Sequence, residues 1–213
     1  MSGAAQTQAR SSQPAGWLRL QCRPGREDGT LVFPYEVTNA GPLPVLVMDA
    51  WPSHRQDDEV PHADPQLVQV TLRPDGLAVV GKYVPALPEN VRMVAPHLPL
   101  CIVLSPGDTL KRELRVRLPL AEQSPYVPEG RLSQYESTEL KGLVVAIGWW
   151  PLAQKGIAAA AWPWSPEHQA VTPLTRLPLA GAAQQRFPTT RLDILRRVDA
   201  FPRNMPVHPD LLA

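Results

Sequence analysis

The sequence predicts an all-β domain, a sandwich or barrel of eight or nine short strands, followed by one short C-terminal helix. Three observations carry this. Proline accounts for 26 of the 213 residues, more than twice the ~5% average. Because proline fixes φ and lacks an N–H, it disfavours long helices and central strands and suits short elements with many turns. Apolar and polar residues alternate in short runs separated by Gly, Pro, Asn and Asp, the spacing of an all-β fold. With 44% hydrophobic and 19% charged residues, the chain can bury a core, which excludes global disorder.

Residues 1–16 are small and polar and are expected to form a disordered lead; they hold no apolar run of the kind that directs secretion. Order is expected over 17–178. "WLRLQCR" alternates from Trp17 and reads as a strand. Asp28-Gly29 is a hairpin signal. "LVFPYEV" puts Leu31, Phe33, Tyr35 and Val37 on one face, and Pro34 assigns that strand to an edge or a bulge. "VLVMDAW" is a nearly continuous apolar strand. "QLVQVTL" and "LAVVGKYV" form a hairpin across "RPDG". "LCIVL" ends in the turn "SPGD". In "TLKRELRVRL", Leu110, Leu114, Val116 and Leu118 face in, and Arg112 is the single exception on that apolar face. Residues 119–139 read as a long polar loop, "LKGLVVAIGWW" as a buried strand, and "EHQAVTPLTRL" as one more. The remainder, 179–213, is expected to be an extension with one helix. Thr190 caps it, Asp193 completes a capping box, and Leu192, Leu195 and Val198 form its apolar stripe.

Two stretches carry a resemblance. "YEVTNAGPLPVLVMD" (35–49) has a strand ending in V-x-N-x-G, with the next strand opening after proline. "VLSPGDTLKRELRVRLPL" (103–120) has a Pro-Gly-Asp turn ahead of a strongly alternating strand. Together they resemble immunoglobulin-like or fibronectin-like β-sandwich domains of bacterial proteins and, more distantly, intracellular proteinase inhibitors. The resemblance implies an immunoglobulin-like sandwich. The chain departs from the inhibitors in its length, its 119–139 insertion and its C-terminal helix. It also lacks the Cys…Trp…Cys spacing of antibody domains.

Composition narrows function by exclusion. A net charge of +1 with mixed signs gives no basic face for nucleic acid. No apolar run is long enough to span a bilayer. The protein reads as cytoplasmic, with Cys22 and Cys101 reduced and buried. No Gly-x-Ser-x-Gly elbow exists, Cys101 lies in an apolar strand that favours an inert thiol, and the Gly-containing turns open no helix that could cradle phosphate.

Two segments remain as candidate sites. In the loop 54–64, His54, Asp57, Asp58, Glu59, His62 and Asp64 supply nitrogen and oxygen donors, although their spacing matches no established metal cage. The segment 82–99, with Tyr83, Pro85 and Pro88, is proline-spaced and extended, and such a segment loses little entropy on binding. The tryptophans add a third feature. Trp149 and Trp150 are adjacent on a strand and point to opposite faces, while Trp162 and Trp164 bracket Pro163 on one side. The reading is a non-enzymatic intracellular module, without cofactor, that binds another protein through Trp150, Trp162, Trp164, Tyr83, Pro85 and Pro88. The alternatives are a sandwich-type protease inhibitor acting through 82–99 or 119–139, and a metal-dependent enzyme using 54–64.

Overall fold

The computed structural model describes residues 16–53, 60–84, 99–124, 134–153, 155–173, 181–188 and 192–198. Among them are sixteen strands and no helix. No helix among the described residues is long and apolar enough to cross a membrane. The first half of the chain supplies β1 (Leu18–Cys22), β2 (Gly25–Glu27), β3 (Thr30–Asn39), β4 (Val45–Ser53), β5 (His62–Asp64), β6 (Gln69–Leu72) and β7 (Leu77–Lys82). Then come β8 (Leu100–Leu104), β9 (Thr109–Arg117), β10 (Leu120–Ala121), β11 (Tyr135–Glu139) and β12 (Gly142–Pro151). The chain continues with β13 (Ile157–Ala161), β14 (Gln169–Pro173), β15 (Gly181–Pro188) and β16 (Asp193–Arg197).

Three sheets share one interior. In the first, β3 lies between β9 on one edge and β1 with β2 on the other. The second runs β13-β14-β8-β4-β12-β7-β6, with β15 joined to β12 and β5 to β4. The third is small, with β16 between parallel β10 and antiparallel β11. Phe33, Val37 and Leu114 of the first sheet pack with Val45, Val47, Ile147 and Trp149 of the second and with Leu120 and Ile194 around the third. Fully burying each such side chain contributes roughly 1.5–3 kcal/mol. Two sheets facing each other across this cluster are compatible with a β-sandwich.

Local chemistry explains most of the elements. Asp28 and Gly29 take φ of +41° and +75°, the left-handed pair that a tight hairpin between β2 and β3 requires. The Ser105–Asp108 turn is closed by the Asp108 N–H donating to Ser105 O at 3.0 Å and the Ser105 N–H donating to the Asp108 carboxylate at 3.0 Å. In β9, Leu110, Leu114 and Val116 are buried while Lys111, Arg115 and Arg117 are exposed, as the alternation predicts.

The structure differs from the sequence reading in three places. The strand count is nearly double, because β5 and β10 carry too few residues to show a period and β11, "YESTE", has no apolar alternation. Pro34 is not on an edge strand. The missing N–H is tolerated because β1 and β2 follow one register along β3 and break at Arg23-Pro24, opposite Pro34; there the Arg23 N–H still donates to Pro34 O at 3.1 Å. Residues 193–197, placed in a helix by their stripe, form β16 instead. Pairing with β10 and β11 on both edges, and the burial of Ile194 in the core, outweigh a local preference worth only tenths of a kcal/mol per residue. Thr190 lies outside the described residues, as do residues 1–15.

β16 is therefore part of the domain's stability. Ile194→Ala is expected to destabilise the fold by about 2–5 kcal/mol, measured as a lower denaturant midpoint with an unchanged slope.

Candidate functional site

Three strands carry a charge where their periodicity calls for an apolar side chain, and the fold brings all three together. They are Asp49 on β4, Lys82 on β7 and Arg112 on β9. Each points into the space between the sheets, on the face shared with Val47, Val80 and Leu114. Against β8, β4 slips register between Met48 and Ala50. This is a bulge, which re-aims a side chain, and the extra residue is Asp49. Trp149 of β12 pairs with Val47 of β4 on one edge and Gly181 of β15 on the other. On the edge facing away from β15, β7 takes over where β4 departs, ending with Lys82 opposite Ile147. Asp49 and Lys82 thus meet where two strands trade places along β12. The backbones are tight here: a Cβ on Gly81 would collide with the Ala146 carbonyl, so glycine at this position lets β7 deliver Lys82.

Asp49 is the hub. Arg112 grips its carboxylate with two donors, Nε to Oδ1 at 3.0 Å and Nη2 to Oδ2 at 3.3 Å, the forked geometry of a strong charge-assisted pair. His168 Nε2 lies 3.1 Å from Oδ2. Lys82 Nζ is 3.7 Å from Oδ1, an ion pair rather than a hydrogen bond. The Tyr35 hydroxyl, on β3 beside Arg112, and Lys82 Nζ are both buried without a hydrogen-bond partner among the described residues.

The ionisation of these groups follows from their packing. Burial alone would raise Asp49, but the His168 hydrogen bond, the Lys82 charge and the Arg112 pair outweigh it and hold the carboxyl at about 2. Burial brings Lys82 down to about 8 against the pull of Asp49, and the Arg112 charge adds to the lowering. Burial, and then the Asp49 charge, push the Cys101 thiol well above the usual range, which makes it inert. Burial pushes Cys22 up to about 11.

A turn closes this cluster. Residues 162–168 link β13 to β14, with the Trp162 N–H donating to His168 O at 2.9 Å, the Ser165 N–H to Trp162 O at 3.2 Å and the His168 N–H to Ser165 O at 3.0 Å. Ser165 Oγ is 2.6 Å from His168 Nδ1, and Glu167 is 3.8 Å from Arg112 Nη2. The chain Ser165–His168–Asp49 has the order of a nucleophile, base and carboxylate. Two further contacts bear on it. The Asp49 charge is shared with two cations, Lys82 and Arg112. The Ser165 N–H is engaged with Trp162 O. What the chain of contacts does is hold the turn, and the turn carries Trp164 at 50% exposure, packed edge-on against Trp162 with ring centroids 4.9 Å apart.

The sequence-predicted residues fall into three groups. Trp162 and Trp164 come together on this turn, with Trp162 packing on Ala50, Leu100 and Ala170. Trp150 is fully buried with Leu46, Met48, Trp51 and Cys101 on the opposite face of the large sheet, and Tyr83 is buried with Val79 and Val144, its hydroxyl donating to Thr71 Oγ1 at 3.1 Å. Neither Trp150 nor Tyr83 presents a surface. Pro85 and Pro88 lie outside the described residues, as do His54, Asp57, Asp58 and Glu59; His62 and Asp64 are on β5. Among the described residues, no group of three or more His, Cys, Asp or Glu side chains is gathered for a metal ion. Asp49, Lys82, His168 and Ser165 were missed. The available signal was a lone charge inside an apolar run, visible in "VLVMDAW" and "LAVVGK" as it was at Arg112.

Comparison with known proteins adds no relative: no family model matches the chain, and no curated protein or solved structure matches it.

The cluster predicts unequal costs. Asp49→Ala strands two cations and is expected to cost about 3–5 kcal/mol, whereas Lys82→Met, which removes a poorly compensated charge, is expected to be near neutral; chemical denaturation of both variants checks this. It also predicts a pH profile. The Lys82 value is lower folded (about 8) than the ordinary 10.5, so the unfolded state holds the extra proton between these values and stability rises with pH across that window. That rise should vanish in Lys82→Met. Asp49 acts at the other end: its contribution is full above the ordinary 3.8 and is lost as pH falls through about 2.

Proposed function

We propose that the chain is a non-enzymatic intracellular module, built on an immunoglobulin-like sandwich, that binds another protein through the Trp164 turn. The observation that carries this is the pairing of an exposed tryptophan with a rigid mount. Trp164 is half exposed, and its turn is tied down by three backbone hydrogen bonds and by His168 to the buried Asp49. Tryptophan is a common interface anchor, since it buries a large area while few torsions are frozen. A mount fixed before contact lowers the ordering cost further.

Other features support parts of the reading. Cys22 and Cys101 are free and buried, which suits a reducing compartment. The Asn39–Gly41 turn, where Asn39 Oδ1 accepts the Gly41 N–H at 3.0 Å, and the Ser105–Asp108 turn agree with the immunoglobulin-like resemblance. The parallel β7–β12 pair goes beyond the antiparallel pairing of that fold.

The test is Trp164→Ala. Wild type and variant, tagged, are used to capture partners from native cell extract, and both are melted. Loss of a stoichiometric partner, with affinity weakened by at least about 2 kcal/mol, roughly thirtyfold, and an unchanged Tm supports the reading. Full retention of binding by the variant overturns it.

A further inference from the structure

Strand β13 is the terminal strand of the large sheet, paired among the described residues with β14 alone. Its sequence, Ile157-Ala-Ala-Ala-Ala161, holds no charge and no proline, and Ala159, Ala160 and Ala161 are exposed. Edge strands of soluble proteins are ordinarily blunted by lysine, proline or a bulge, because their free N–H and C=O groups pair with other chains. β13 carries none of these inside its span.

The direction of its backbone groups follows from the ladder. In an antiparallel pair, alternate residues exchange hydrogen bonds while the intervening ones point away. Ile157 stands opposite Pro173 and Ala159 opposite Val171. Pro173 has no N–H, and the Val171 N–H donates to Pro99 O on the far side, at 3.1 Å. Continuing the register, Trp162 stands opposite His168, and there the N–H of Trp162 does donate to His168 O. The even-numbered residues therefore bond to β14. Ile157, Ala159 and Ala161 turn their N–H and C=O to the free edge.

We infer that β13 pairs with β13 of a second copy, antiparallel, about a two-fold axis at Ala159. An interface of this symmetry must be self-complementary, and this edge is. The axis sets Ala159 against its own copy and Ile157 against Ala161, so all three outward-facing residues meet outward-facing residues and exchange hydrogen bonds in pairs. Small alanine side chains let the strands approach without obstruction. Extending the register puts Gly156 against Trp162 and Lys155 against Pro163, so a bulky side chain meets the residue without one and no charge meets its like. The large sheet then runs continuously through both copies.

The test uses the full chain and its association state by sedimentation over a dilution series. Wild type is expected to be a dimer that dissociates on dilution. Ala159→Pro removes an N–H that faces the free edge and leaves the β13–β14 ladder whole; it is expected to be monomeric with the Tm of the dissociated wild type at high dilution. Ala160→Pro removes an N–H the ladder uses and is expected to lower Tm. Should Ala159→Pro fail to fold, Ala159→Lys places like charges at the axis on an exposed position and is expected to give a folded monomer. Amide exchange at Ile157, Ala159 and Ala161 is expected to slow as concentration rises. A monomeric wild type at every concentration overturns the inference, as does a dimer that survives both Ala159 variants. Protection of those three amides only on adding a different polypeptide also overturns it, and assigns the edge to that chain.

Discussion

A carboxylate removed from water costs several kcal/mol unless its neighbours replace the lost solvation, and Asp49 is buried. Its replacements come from β7, β9 and the 162–168 turn, segments well separated in sequence. Meeting that demand fixes several things at once. β9 must sit in the register that aims Arg112 inward, because a slip of one residue would turn Arg112 out and bring its charged neighbours in. β4 must bulge, and β7 must end where β4 leaves β12. The turn between β13 and β14 must fold back far enough to place His168. The apolar core supplies the bulk of the stabilisation, but it would tolerate small displacements of one sheet over the other. The Asp49 hub ties the facing sheets and the turn to one arrangement.

How much of this was legible in the sequence varied with the kind of signal. Alternation located β1, β3 and β9, runs of apolar residues located β4, β8 and β12, and the turn signal at 73–76 located the β6–β7 hairpin. Turn chemistry placed Asp28-Gly29 and Ser105–Asp108. The tail was misread because Leu192, Leu195 and Val198 satisfy a helical spacing while Ile194, the residue that enters the core, falls outside it; only the partner strands decide between the two. Pro34 was misread for a related reason: its position relative to the break between β1 and β2 is a property of the sheet, not of the strand. At the site, Arg112 stood out as a charge on an apolar face, and Asp49 and Lys82 showed the same mark. What no single strand records is that the three converge, since that depends on the bulge in β4 and on the order of strands along β12.

The tryptophan-rich segment divides its residues among different tasks. Trp149 is buried and stacks on the half-buried Trp17, with ring centroids 6.0 Å apart, and Trp150 fills the opposite face of the same sheet. Adjacent positions on one strand thus serve two separate clusters, which is the direct result of side chains alternating across a pleated backbone. Farther along, Trp162 seats the turn and Trp164 projects from it. The alanines between these pairs keep β13 thin, so the same stretch that mounts an aromatic anchor also leaves a low-profile edge beside it.

The small third sheet joins residues distant in chain order, with β10 pairing in parallel with β16 at Leu120↔Ile194 and Ala121↔Leu195. Glu122 fastens the same seam, accepting the Leu72 N–H at 2.8 Å and the Arg197 N–H at 2.9 Å. During synthesis, at about 5–20 residues per second, Leu120 is made several seconds before Ile194 exists. Through that interval the nascent chain carries an unpaired β10, and its interior lacks the Ile194 side chain that completes it. Vectorial folding of this protein therefore cannot finish strand by strand behind the ribosome; β16, the last strand among the described residues, is a keystone, and the wait for it is the period in which chaperone binding would matter most.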